Sequence, residues 1–132
     1  MEKRAEVQLD WVEPGLHDPA WIGVDLDGTL AHYEYGIRQH HVGEPIWPMV
    51  ERVKIWLEKG IKVKIFTARW SVLAQRDYNR QEIMEFFARA GLPELEITCI
   101  KDYHMIELWD DRAVTVEANT GQQLSPSSRH LL

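Results

Sequence analysis

The stretch "WIGVDLDGTL", residues 21–30, places two aspartates directly after a short apolar run. The run lacks the apolar and polar alternation of a half-exposed strand, which is typical of a strand buried on both faces of a parallel sheet. Gly28 then permits a turn with few steric limits. The stretch therefore predicts a central strand that delivers Asp25 and Asp27 to one edge of a sheet.

Helices and further strands are predicted to alternate after this strand. Apolar residues recur at helical spacing over 46–59 and 75–91, and each of these segments ends at or next to a glycine. Strands are predicted at 61–69, 95–100 and 105–109, with a fifth extended piece at 113–118. This order predicts an α/β domain with a Rossmann-like, doubly wound and mostly parallel sheet, right-handed crossovers and helices on both faces.

The length and composition fit one globular domain. A chain of 132 residues suffices for a single core. We expect an irregular lead-in over 1–20, a core domain over 21–118 and a flexible polar tail over 119–132. Cys99 is the single cysteine, which excludes an intramolecular disulfide and favours a buried structural thiol.

The charge and hydropathy patterns restrict the partners. A net charge of −6 disfavours a broad basic surface for nucleic acid, although a local cationic pocket is compatible with it. The sequence has no signal-peptide pattern and no apolar run near the ~20 residues that a membrane span needs. We expect a soluble cytoplasmic protein.

Polar and charged side chains follow each strand of the predicted core. They are Asp25, Asp27, Thr67, Arg69, Lys101, Asp110 and Asp111. Ligands of open parallel sheets bind beyond the carboxyl ends of the strands, so these side chains are expected to share one crevice. Close carboxylates repel one another unless a cation or a proton intervenes. Because Mg²⁺ takes oxygen ligands and leaves room for phosphate, the sequence predicts a magnesium site beside a phosphate site.

Four segments carry a resemblance to a known family. "DLDGTL" at 25–30, "FTAR" at 66–69, Lys101 and "WDDRA" at 109–113 resemble the four ordered motifs of the haloacid dehalogenase superfamily. Most of its members are magnesium-dependent phosphatases, and the resemblance covers residues 21–117. It implies a HAD-like core and a phosphomonoester hydrolase that works through an aspartyl-phosphate.

The resemblance also implies a role for each matched residue. Asp25 would be the nucleophile and Asp27 the general acid and base. Thr67 would bind a phosphate oxygen, and Lys101 would neutralise charge on the phosphate and on Asp25. The implied substrate-binding residues are Gly28, Thr67, Ala68, Arg69 and Lys101. The implied magnesium ligands are Asp25, Asp27 through its main-chain carbonyl, Asp110 and Asp111, the last directly or through water.

The chain departs from the family at the third motif. Lys101 lies only nine residues before Asp110, whereas many members place a helix between these motifs. Lys64 and Arg69 are therefore alternative cations. For Arg69 and Arg112, an ion pair with a nearby acid is an alternative to substrate contact.

The spacing of the motifs predicts an enzyme without a cap domain. Residues 31–45 suffice only for a small flap, and no surplus separates the second and third motifs. Aromatic and histidine residues of the flap are expected to shape substrate access, with a histidine metal patch as the alternative. They are His32, Tyr33, Tyr35, His40 and His41. An open site accepts a bulky phosphomonoester, or borrows a lid from another subunit of an oligomer.

Two other functions fit the same pattern. One is a phosphotransferase that uses the same intermediate, and the other is a non-catalytic module that binds a phosphorylated ligand. Asp27 argues against the module, because binding alone needs no general acid. A nucleotide, a sugar phosphate and a phosphorylated polynucleotide end are all compatible substrates, although the acidic net charge disfavours the last.

Overall fold

The computed structural model describes residues 20–34 and 40–127. Four strands are β1, Trp21–Val24; β2, Lys62–Phe66; β3, Glu96–Thr98; and β4, Met105–Trp109. Two helices are α1, Trp47–Glu58, and α2, Arg76–Ala90, and two short 3₁₀ turns, Ala68–Ser71 and Leu73–Gln75, separate β2 from α2. All six elements lie within the ranges predicted from the sequence.

The four strands form one parallel sheet in the order β3-β2-β1-β4. Val24 at the end of β1 lies opposite Ile65 of β2 and Trp109 of β4. The prediction of an α/β domain with a parallel sheet is therefore confirmed. The fifth extended piece predicted at 113–118 is wrong as a strand of this sheet, because its Val116 pairs only with Gln123 in an isolated bridge.

Both helices pack on one face of the sheet. The apolar core joins alternate residues of the two central strands to the inner faces of α1 and α2: Ile22, Val24, Val63, Ile65, Met49, Val50, Val53, Ile83, Phe86 and Phe87. The chain steps in one direction from β1 to β2 to β3, so right-handed crossovers place both helices on the same side. The expectation of helices on both faces does not hold for the described residues.

The opposite face is crossed by the link between β3 and β4, which is too short for a helix. Trp21 is buried there, and its indole Nε1 donates a 2.8 Å hydrogen bond to Asp102 Oδ1. Lys64 Nζ lies 4.4 Å from the centroid of the Trp21 ring, 3.3 Å from Glu96 Oε2 and 3.8 Å from Asp102 Oδ2. These partners compensate the burial of an ammonium group, which is costly when unpaired.

The two ends of the chain are described only in part. The lead-in predicted over 1–20 lies, except for its last residue, outside the described residues. The first part of the predicted tail folds back on residues 115–117 in an exposed hairpin, where Glu117 N donates to Gln122 O and Leu124 N donates to Thr115 O, each at 2.7 Å. No helix in the described part of the chain has the length and apolar character needed to cross a bilayer.

Candidate active site

A tight turn after β1 presents the two aspartates of the first motif. Asp25 N donates to Trp109 O at 2.9 Å, which extends the pairing of β1 with β4 by one residue. Leu26 O then accepts hydrogen bonds from the main chain of residues 29–31. Gly28 has a φ of 94°, a left-handed conformation that L side chains rarely adopt. The turn sets Asp25 and Asp27 at the carboxyl edge of the sheet.

Three carboxylates meet at this edge. Asp25, Asp110 and Asp111 each offer an oxygen, and these oxygens lie within 4.8 Å of one another. Asp110 and Asp111 directly follow β4, the neighbour of β1. The sequence thus predicted correctly that Asp25 and the acidic pair would converge. No histidine belongs to a comparable group in the described ranges.

The charge cluster perturbs the titration of Asp25. The pKa of the Asp25 carboxyl is raised from its ordinary 3.8 to about 8. Burial is the largest cause, followed by the charge of Asp110, the hydrogen bond and charge of Asp111, and the charge of Asp27. In the absence of a cation, a proton therefore relieves the repulsion. A set of half-buried carboxylate oxygens is also the donor set that a hard cation such as Mg²⁺ prefers. The three residues fit a magnesium ion.

Thr29 joins the two loops that carry the cluster. Its Oγ1 lies 3.3 Å from Asp25 Oδ2 and 3.1 Å from Asp111 Oδ1, and it accepts a 2.9 Å hydrogen bond from Asp111 N. Because a hydroxyl has one proton, it donates to one of the two carboxylates at a time. Sequence reasoning assigned no role to Thr29, although it is part of the "DLDGTL" motif.

Asp27 is held by Arg69 rather than by the carboxylate cluster. Arg69 Nε donates to Asp27 Oδ2 at 2.7 Å, and Arg69 Nη2 donates to Asp27 Oδ1 at 3.0 Å. The Asp27 carboxylate is therefore not one of the clustered oxygens. The main-chain carbonyl of Asp27 as a magnesium ligand stays a prediction. Of the two roles considered for Arg69, the observed pairing is the ion pair.

Thr67 lies where the second motif predicts it. Thr67 N donates to Thr98 O at 2.9 Å, which extends the pairing of β2 with β3. Its Oγ1 accepts a 3.1 Å hydrogen bond from Arg69 N and so caps the first 3₁₀ turn. Thr67 and Ala68 both line the cavity beside Asp25. A hydroxyl that accepts one hydrogen bond can still donate its proton to a ligand.

The two lysines considered for the third motif lie elsewhere. Lys101 is exposed beyond β3, an edge strand that β2 separates from β1, and it is not among the residues that line the cavity. Lys64 is engaged with Glu96 and Asp102 on the opposite face of the sheet. Arg112 does line the cavity, and its main-chain N–H donates to Asp110 Oδ1 at 2.8 Å. The sequence leaves both an ion pair and a substrate contact open for Arg112, and its place in the cavity lining is compatible with substrate contact.

The cavity has a volume of about 560 Å³. Its lining includes Asp25, Asp27 and Asp110, and its walls come from the flap, the end of β2 and the segment after it, the residue after β3, and the first turn of α2. The wall residues include Tyr33, His40, Phe66, Ser71, Gln75, Tyr78, Asn79 and Cys99. Cys99 is half-buried, so it is more accessible than the buried thiol that the sequence predicted. Sites for small molecules usually have volumes of roughly 300–1,000 Å³.

The two ends of the predicted flap are joined by main-chain hydrogen bonds. His32 N donates to Glu44 O, and Ile46 N donates to Leu30 O, each at 2.8 Å. Tyr33 and His40 line the cavity from the flap, consistent with a role in access. Residues 35–39, which include Tyr35, lie outside the described residues.

Comparison with known proteins returns no match: no protein-family model, no curated protein and no solved structure is similar to this chain. The side chains of the cavity are therefore the basis for assigning a function.

Proposed function

We propose that this chain is a magnesium-dependent phosphomonoester hydrolase of the haloacid dehalogenase type, without a cap domain, that works through an aspartyl-phosphate. One observation carries the proposal. Asp25, Asp110 and Asp111 bring carboxylate oxygens within 4.8 Å of one another, and two of the three residues line a cavity that Thr67 also lines. The chain order of these residues and their positions after parallel strands support the same assignment.

Asp25 is the nucleophile of the proposed reaction. One of its oxygens forms a bond to phosphorus while the bond from phosphorus to the ester oxygen breaks. Asp27 gives a proton to the departing oxygen. It then takes a proton from the water that attacks the aspartyl-phosphate, which releases inorganic phosphate and restores Asp25.

Asp25, Asp110 and Asp111 would hold the magnesium ion. When bound, the ion supplies positive charge against the carboxylates and the transferring phosphoryl group. Thr29 keeps the two loops of the ligand set together through its contacts with Asp25 and Asp111.

Thr67 and Arg112 are the proposed phosphate contacts. The Thr67 hydroxyl donates to a phosphate oxygen, and the Arg112 guanidinium neutralises charge on the phosphate, as both residues line the cavity. The resemblance gives the second role to Lys101, and that assignment stays a prediction. Arg112 is preferred because it lines the cavity, whereas Lys101 is not among the lining residues.

The test measures phosphate release from 4-nitrophenyl phosphate with and without MgCl₂. Asp25→Asn removes the nucleophile, and we expect a loss of activity on the order of 10³-fold or more. Glu58→Gln, an exposed change at the end of α1, is the matched control and keeps wild-type activity. Equal rates for wild type and Asp25→Asn would contradict the proposal. Turnover that rises with an added alcohol while free phosphate does not would identify a phosphotransferase instead.

A further inference from the structure

The side chain of Arg69 connects three parts of the site. Its Nε and Nη2 bind the two carboxylate oxygens of Asp27, at 2.7 and 3.0 Å. Its Nη1 donates to His40 O at 2.5 Å and to Asn79 Oδ1 at 3.2 Å, and its Nη2 also donates to His41 O at 3.3 Å. These contacts engage all three nitrogens of the guanidinium.

Arg69 is itself held on both sides. Its main-chain N–H donates to Thr67 Oγ1 at 3.1 Å, and its main-chain oxygen accepts a 3.1 Å hydrogen bond from Asn79 Nδ2. Asn79 is buried in the first turns of α2, with 4% of its surface exposed. The arginine is thus fixed to β2 through Thr67 and to α2 through Asn79, which limits the positions that its guanidinium can take.

The contacts distinguish between two roles for Arg69. A guanidinium that binds substrate phosphate must direct N–H groups at it. Here those groups are directed at Asp27, at Asn79 and at the main chain of His40 and His41. The side chain of Arg69 is 11% exposed and that of Asp27 is 19% exposed, so the pair is also shielded from competing water.

We propose that Arg69 is a positioning residue, which orients the Asp27 carboxylate and ties it to residues 40–41 of the flap and to α2. This inference rests on the proposed function, because it specifies how the general acid and base of that reaction is held. A bidentate guanidinium fixes both the direction and the plane of a carboxylate, which a lysine cannot do. Proton transfer needs that control, since the acid must lie within hydrogen-bond reach of the departing oxygen.

The role predicts a dependence on the leaving group. A 4-nitrophenolate ion departs without protonation, whereas an alkoxide needs a proton from the general acid. The ratio kcat/KM reports the step in which Asp25 is phosphorylated. Loss of Asp27 orientation should therefore lower kcat/KM for an alkyl phosphate, such as glycerol 2-phosphate, and leave that for 4-nitrophenyl phosphate nearly unchanged.

The experiment compares both substrates in wild type, Arg69→Met and Arg69→Lys. General acid catalysis contributes roughly 10²–10⁴-fold, so we expect Arg69→Met to lose on the order of 10²-fold with glycerol 2-phosphate and less than about 3-fold with 4-nitrophenyl phosphate. Arg69→Lys keeps the charge but cannot make the bidentate contact with Asp27, so it should show the same selective loss. Arg80→Met, an exposed change on α2 outside the cavity lining, is the control and keeps the wild-type ratio of the two substrates.

Asn79→Ala provides a second variant in case Arg69→Met does not fold. It removes one support of the guanidinium and keeps the pair with Asp27, so a selective loss of the same sign and smaller size is expected. An equal loss with both substrates, full recovery in Arg69→Lys, or no loss at all would overturn the positioning role while the phosphatase activity stands. A wild-type protein that hydrolyses neither substrate would overturn the proposed function and the positioning role together.

Discussion

The hydroxyl of Thr29 accepts a 2.9 Å hydrogen bond from the main-chain N–H of Asp111, which joins the loop after β1 to the loop after β4. The same oxygen lies 3.3 Å from Asp25 Oδ2 and 3.1 Å from Asp111 Oδ1. Two loops that are far apart in the chain therefore share one hydroxyl at the point where their carboxylates meet. The repulsion between those carboxylates acts to separate the loops, and this hydrogen bond opposes it.

Thr29→Val should weaken both the fold and the metal site. The change keeps the shape of the side chain but leaves the N–H of Asp111 without its acceptor. An unsatisfied buried polar group lowers the free energy of unfolding by about 1–3 kcal/mol. Because this site is only half-buried, we expect a loss near the lower end of that range. We also expect weaker Mg²⁺ binding, measured by calorimetric titration.

Thr29→Ser is the matched control for this prediction. It keeps the hydroxyl and should retain most of the stability and of the Mg²⁺ affinity. Thr29→Val with wild-type unfolding and wild-type Mg²⁺ affinity would show that the hydroxyl does not hold the loops together.

The raised pKa of Asp25 predicts how the stability of the metal-free protein depends on pH. The folded protein binds the Asp25 proton with a pKa of about 8, against 3.8 in the unfolded chain, mainly because the carboxyl is buried. The stabilisation that the bound Asp25 proton gives to the folded protein is fully present below pH 3.8, and it is lost as the pH rises through about 8. One proton changes the free energy of unfolding by at most about 1.4 kcal/mol per pH unit. The free energy of unfolding of the metal-free protein should therefore fall as the pH rises from 5 to 8.

Urea unfolding in the presence of EDTA, across that pH range, measures this dependence. Asp25→Asn removes the titrating group and should flatten the slope relative to wild type, with greater stability near neutral pH. Since histidines also titrate in this range, the comparison between the two proteins carries the test. The same slope in both would show that Asp25 does not hold a proton in the folded state.

Much of this site could be predicted because it depends on topology. A strand without polar alternation is typical of burial on both faces of a parallel sheet. The carboxyl ends of parallel strands share an edge, so the sequence predicts that Asp25 and Asp110 lie close together. The helix boundaries followed from apolar spacing and from the glycines that end the segments. These features depend on local sequence and on rules of chain connection.

Other features depended on strand order and on side-chain geometry, which the sequence does not state. The order of the motifs predicts Lys101 at the site, but Lys101 follows β3, an edge strand that β2 separates from the β1 strand that leads to Asp25. The single-sided placement of α1 and α2 likewise follows from the order β3-β2-β1. The pairing of Arg69 with Asp27 depends on where a long side chain turns, which no spacing rule specifies.

Substitution of the proposed metal ligands tests the metal site. Asp110→Asn and Asp111→Asn each remove one charge from a set whose oxygens lie within 4.8 Å of one another. We expect each change to weaken Mg²⁺ binding by about 10-fold or more, since even indirect ligand supports cost roughly 10–100-fold. Titration of MgCl₂ into EDTA-treated protein, followed by thermal unfolding, measures the affinity without relying on activity.

Asp77→Asn, an exposed change in the first turn of α2, is the control for the ligand variants. It removes a charge of the same sign outside the cluster and should leave Mg²⁺ binding at the wild-type level. If Asp77→Asn weakens Mg²⁺ binding as much as Asp110→Asn does, the ion is attracted by net charge and not by a ligand set.

Motif order and cavity geometry favour different residues as the proposed cation for the phosphate. Arg112 lines the cavity with Asp25 and Asp110, whereas Lys101 is not among the lining residues. A charge-assisted hydrogen bond to a charged group is worth about 1.5–3 kcal/mol, so Arg112→Met should lower kcat/KM for 4-nitrophenyl phosphate by about 10–100-fold. Lys101→Met should change it by less than about 3-fold, because Lys101 is an exposed charge outside the cavity lining and such charges are screened by salt. Inhibition by inorganic phosphate should weaken in parallel in Arg112→Met alone, which ties the loss to phosphate binding. The opposite ranking of the two variants would return the role to Lys101, and it would require the link between β3 and β4 to move toward Asp25 when substrate binds.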